Sequence, residues 1–222
     1  MRKNLLIFFS IGVLIFCSVS SAATFYYNSR SSFMSNSYLD TTDNINFDDI
    51  SAGTDLTNDN LQGVTFQSPS AIPLTVIDAT TGVRYSMSAS SGSNLLSPGG
   101  SNTSQENDDL KLVFDDPVKA AGFDVVFDRP DQASYVSVSF YDINDTLIYY
   151  SGDHIVAPTN GYTFVGLVSD SVIIKSIVVN EWDGSADDDH VAYDSFVFSQ
   201  AVPEPATITL LLLCMAGLFC KK

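Results

Sequence analysis

Aspartates are the residues of this sequence whose type and spacing best fit a chemistry, and that chemistry is calcium ligation. Asp48 and Asp49 stand where an early apolar run ends. Asp187, Asp188 and Asp189 lead into the last apolar run of the domain, and Asp194 lies within it. Calcium takes about six to eight oxygen ligands, and aspartate is a common donor. Several carboxylates held within a few ångströms repel strongly unless a cation sits among them. Asp48, Asp49 and Asp194 are therefore candidate ligands of a structural calcium ion, where their strands lie side by side. The alternative is a solvated strand end at 48–49 and a solvated turn at 187–189. No EF-hand spacing is present, so such a site is assembled from distant segments.

Trp182, the one tryptophan, sits in the loop-like stretch Glu181-Trp182-Asp183-Gly184. An exposed indole there can stack on a sugar ring; a buried one closes an end of the core. Catalytic chemistry finds little support, and no catalytic residue is assigned. The histidines His154 and His190 lie far apart, no Gly-x-Ser-x-Gly elbow occurs, and Cys17, Cys214 and Cys220 all fall in the apolar terminal segments. That removes a thiol nucleophile and a zinc set from the domain between them. Paired carboxylates could serve a glycosidase. With aspartates this numerous, an accidental pair is expected and carries no weight.

These residues need elements to position them. Short runs rich in Val, Ile, Phe, Tyr and Thr, separated by Gly, Pro, Asn and Asp, predict strands near 45–48, 64–67, 74–78, 84–88, 110–114, 120–127, 135–141, 146–151, 162–169, 172–180 and 192–199. Val136, Val138 and Phe140 alternate with Ser137, Ser139 and Tyr141, the period of a half-buried strand. One short helix is expected at 28–34, capped by Asn28 or Ser29, with Phe33 and Met34 packing inward. Turns are expected at 128–131 and 142–145, and 90–109 reads as one long polar loop. Many short strands with turn residues between them predict an all-β fold, a single β-sandwich or barrel.

The domain is acidic. Without the charges of the two terminal segments, 25 acidic residues face 6 basic ones, and only three of the chain's acids are glutamate. Such a surface repels nucleic acid and anionic lipid. It also suits the solubility of an exported protein.

The ends carry addresses. Arg2 and Lys3 precede an apolar run from Leu5 to Phe16, and Ser21 and Ala23 supply the small residues that a signal peptidase reads. Residues 1–23 are expected to be a signal peptide. Val202-Pro203-Glu204-Pro205 precedes an apolar run from Ala206 to Cys220 and the basic end Lys221-Lys222. Fifteen helical residues reach about 22 Å, short of a bilayer core of about 30 Å. The lysines can still arrest the tail with the domain outside.

Val202, Pro203, Glu204 and Pro205, followed by a short apolar helix and a basic end, resemble the PEP-CTERM sorting signal over residues 202–222. The resemblance implies processing by an exosortase-type membrane enzyme. It departs from the commoner pattern in ending on lysines where arginines are more usual. More loosely, 46–50, 63–66, 117–124 and 192–198 resemble the jelly-roll β-sandwich domains of such proteins, which implies one domain over 24–201. In folds of that kind the first and last strands pair, often around a structural calcium. The resulting expectation is an exported, non-enzymatic protein of the cell surface or extracellular matrix. An alternative is a calcium-dependent module that binds an extracellular polysaccharide, and a third reading is a polysaccharide-active hydrolase.

Overall fold

A computed structural model describes residues 22–36, 39, 42–81, 87–100, 108–127, 136–152, 161–171, 173–181 and 191–199. The segment expected to be a signal peptide (up to residue 21), the stretch 202–205 that resembles a sorting motif, Trp182 and the 187–189 triplet lie outside the described residues.

Thirteen strands, one α-helix and a 3-10 turn at Ala79–Thr81 are found among the described residues, the strands and α-helix in the order β1 Thr24–Tyr27, α1 Arg30–Met34, β2 Thr42–Ile45, β3 Asn60–Leu61, β4 Val64–Gln67, β5 Leu74–Asp78, β6 Asn94–Pro98, β7 Leu110–Val118, β8 Ala120–Phe127, β9 Val136–Tyr141, β10 Leu147–Tyr150, β11 Tyr162–Ser169, β12 Ile174–Glu181 and β13 Val191–Ser199. They form two antiparallel sheets. The larger has the order β1-β11-β8-β13-β6-β5, with β2 also on β13, and the smaller has the order β10-β9-β12-β7-β4-β3. The architecture is a β-sandwich.

The inner faces meet in one core. Phe123 stacks on Phe196 at 5.2 Å, and Phe47 and Phe66 meet Phe196 edge-on at 5.7 and 5.5 Å. Residues of both sheets share this cluster, from Val138 and Phe140 of β9 to Val125 and Phe127 of β8. At one side Tyr26 of β1 stacks on Tyr149 of β10 at 4.8 Å and links the two sheets. Burial pushes the Tyr26 phenol up to about 12, helped by its neighbour Tyr149.

The sequence reading needs several corrections. The early strand lies at Thr42–Ile45, and the stretch that follows is a turn closed by Ile50 N–H on Phe47 O at 3.0 Å. The polar stretch 90–109 contains a buried strand, β6, because Leu95 and Leu96 point to opposite apolar clusters. Of the strand expected at 84–88, residues 84–86 lie outside the described residues and 87–88 form no strand. In α1 Phe33 is buried as expected, but Met34 is 44% exposed, because five residues make barely more than one turn and present one inward position. Ser29 is the N-cap residue, yet its side chain meets Ser31 Oγ and caps no backbone N–H. The 142–145 turn forms as predicted, with Asp142 Oδ1 accepting from Asn144 and Thr146 N–H at 2.8 Å each.

The strand that joins β13 is β2, with Ile45 opposite Phe196, while the first strand, β1, pairs with β11. β13 lies inside the sheet, with β8 on one side and with β6 and β2 on the other.

Candidate functional site

The outer face of the larger sheet holds an unusual row of residues. Phe164 of β11 is opposite Asp124 of β8, and Asp124 is opposite Asp194 of β13. Two carboxylates thus sit side by side in a sheet of apolar strands. The neighbouring row is Gly166, Gly122 and Val197. Both glycines are needed for space: a Cβ on Gly122 would stand 2.5 Å from Phe164 Cζ, and one on Gly166 would stand 2.7 Å from Phe164 and Phe33 ring atoms. The Phe164 ring therefore lies flat across the sheet.

A bulge in β13 sets the rest. The register with β8 slips by one residue between Asp194 and Val197, and Ser195 takes the left-handed region at φ 51°. The slip lets Tyr193 and Phe196 both enter the inner core, although their positions differ in parity. It also turns Ser195 to the same outer side as Asp194, where Ser195 Oγ and Ser91 Oγ meet at 2.8 Å.

Two segments cover this face. The first is α1 with its flanking residues, where Phe33 packs with Ala120, Phe164, Val168 and Val197. The second runs through 87–93, where Met87 packs with Ile77, Leu95, Val126 and Ala192. A polar cleft of about 390 Å³ opens between them, with Asn28, Arg30, Ser90, Asp124, Tyr162 and Thr163 among its lining. Arg30 Nη2 donates to Asp124 Oδ2 at 2.9 Å and to Ser195 O at 2.5 Å. Its guanidinium carbon lies 4.8 Å from the centre of the Phe164 ring. The pair is asymmetric in exposure, 33% for the Arg30 side chain and 4% for that of Asp124.

Asp194 is fully buried and wrapped in donors. Its Oδ2 accepts from Ser91 N–H at 2.8 Å and from Ser90 Oγ at 2.9 Å, and its Oδ1 accepts from Ser195 N–H at 2.6 Å. Burial pushes this carboxyl above the ordinary carboxylate range, and the charge of Asp124 adds to the rise, against the pull of the donors. Asp48 holds the other end of the same covering segment: its Oδ1 accepts from Ser93 N–H at 2.8 Å and Asn94 N–H at 3.1 Å. Gly92 between them has φ +52°, and its missing Cβ would fall 1.9 Å from Asp48 Oδ2. Asp49 is exposed. Asp48 and Asp194 thus both fasten the 90–94 segment, through protein donors. No group of three or more His, Cys, Asp or Glu residues arranged to hold a metal ion occurs among the described residues.

Arg30 and Asp124 were not singled out from the sequence. The signal was there: Asp124 interrupts the apolar run from Ala120 to Phe127, and Arg30 is one of the few basic residues in an acidic domain. A charge in a fully buried strand needs a partner.

No protein-family model matches the chain, and no curated protein matches it. Among solved structures, the chain is similar to the K2 cleaved adhesin domain of Lys-gingipain, at 12% identity and a TM-score of 0.48, over 72% of this chain and 100% of that one. It is also similar to the K3 cleaved adhesin domain of Lys-gingipain from Porphyromonas gingivalis, at 12% identity and a TM-score of 0.31, over 72% of this chain and 91% of that one.

Proposed function

We propose that this chain is an exported, non-enzymatic protein with a jelly-roll-like β-sandwich domain, sorted by its PEP-CTERM-like tail to the cell surface or extracellular matrix, where it binds through the outer face of its larger sheet. The observation that carries the binding reading is the cleft between the two covering segments. Arg30 neutralises Asp124 in the cleft, and Asp194 beside it fastens the 90–91 segment. Among the described residues that line the cleft, no histidine or second carboxylate stands beside Asp124 to form an acid–base pair, which favours binding over turnover. Signal peptidase and an exosortase-type enzyme are the processing partners.

Mass spectrometry of the mature protein from its native host tests the sorting. An N-terminus at Thr24 and loss of the residues after the Val202–Pro205 motif are expected. An intact Lys222 terminus on most molecules would overturn it. The calcium-dependent form of the reading, with Asp48, Asp49 and Asp194 as ligands, is tested by thermal unfolding in calcium, in magnesium and in chelator.

A further inference from the structure

We propose that the cleft beside Arg30 and Asp124 binds a neutral saccharide through its hydroxyl groups. The inference rests on the reading of the chain as a binding protein and names the ligand class. Nη2 of Arg30 spends its hydrogens on Asp124 and Ser195 O, while Nε and Nη1 donate to no protein acceptor among the described residues. Asp124 is only 3% exposed, yet its Oδ1 accepts no hydrogen bond among the described residues. A buried carboxylate oxygen without a protein donor is costly, and Asp124 lines a cleft from which a donor can come. Asn28 and Tyr162 also line the cleft, and their side chains make no protein hydrogen bond among the described residues.

The required ligand groups must donate to Asp124 and accept from Arg30 within one small space. A hydroxyl does both, and neighbouring hydroxyls on a sugar ring present several such groups on a rigid frame. Net charge argues against ions. An anion would approach Asp124 and Asp194 together on a chain of formal net charge −16. A cation would meet the Arg30 guanidinium. The volume of about 390 Å³ falls within the range of small-ligand pockets and suits one or two sugar rings. Arg30 is already fixed by two hydrogen bonds and by the Phe164 face, so little side-chain freedom is lost on binding.

The test uses the full-length chain and methyl glucoside, methyl galactoside and methyl mannoside, followed by ligand-observed NMR and calorimetry. At least one should bind saturably, with a dissociation constant on the order of 1 mM. Tyr162→Phe and Asn28→Ala leave the Arg30–Asp124 pair in place. Each should weaken binding by about 2- to 10-fold while thermal unfolding stays unchanged. No saturable binding of any of the three to the folded chain at about 20 mM would overturn the proposal. Tighter binding of glucuronate or inorganic phosphate would overturn the ligand class. Unchanged affinity in both variants would overturn the site. A chain that is correctly processed but binds no glycoside would sink this inference alone, whereas one that binds but keeps its tail would sink the sorting reading alone.

Discussion

The two sheets differ in what they do with their outer faces. On the smaller sheet, β9 buries Val136, Val138 and Phe140 and leaves Ser137, Ser139 and Tyr141 partly in water. β4 alternates in the same way. On the larger sheet, every residue of β6, β8 and β13 is buried. One sheet has a core side and a wet side; the other has two covered sides. Covering a second face pulls polar groups out of water, so the larger sheet had to provide partners for Asp124, Asp194 and Ser195. The cleft lies where that cover is incomplete. There Arg30 and Asp124 keep polar atoms without a protein partner among the described residues.

The contrast can be broken most strongly from the side the sheets share. Phe123→Ala removes a fully buried ring from the inner core and should cost about 3–5 kcal/mol in urea unfolding. Ser139→Ala, on the wet face of β9, should stay within about 0.5 kcal/mol. Comparable losses at both positions would mean that the smaller sheet is covered as well.

Next comes the outer face. Arg30→Ala leaves the Asp124 carboxylate buried without its cation and should cost about 2–4 kcal/mol, discounted because the arginine is one-third exposed. The double variant Arg30→Met, Asp124→Leu should recover most of that stability and lose the cleft's chemistry. If the double variant unfolds as readily as the single one, the pair is a net stabiliser and not chiefly a device of the site. Gly122→Ala forces the Phe164 ring off the sheet and should cost about 1–3 kcal/mol.

pH separates buried from exposed aspartates. Asp194 has a folded pKa above its unfolded one, so its contribution is full below about pH 4 and is lost as pH rises through the raised value. The stability of the wild type relative to Asp194→Asn should therefore fall between acid and neutral pH. Asp142, on an exposed turn, is held below the ordinary carboxylate range, first by the N–H of Thr146. Its contribution is present above about pH 4 and is lost as pH falls through the lowered value. Asp142→Asn should thus be less stable than the wild type at neutral pH, with the gap closing in acid. Parallel slopes for the two variants would erase the distinction.

Calcium gives the smallest expected effect. Oxygens of Asp48 and Asp194 already accept protein hydrogen bonds, which sets the expected rise in Tm at about one or two degrees in calcium over chelator. A rise of several degrees, absent with magnesium, would establish the structural ion instead.

The sequence by itself determined the all-β class, the alternation of β9, the bounds of strands such as Val64–Gln67 and Ala120–Phe127, and the turn at Asp142, because each follows from local period and turn chemistry. It also carried the apolar-rich runs of β8 and β13, each interrupted by an aspartate, whose strands are buried throughout. What lay on those faces was decided only by tertiary structure. β6 was hidden in a polar stretch because its pairing with β5 and β13 is non-local. The bulge at Ser195 reconciles Tyr193 with Phe196 through a one-residue slip against β8 that no local pattern announces. Arg30 and Asp124 are 94 residues apart, and only folding α1 over β8 makes them a pair. Period and propensity act over a few residues; a charge finds its partner across the chain, after the chain has folded.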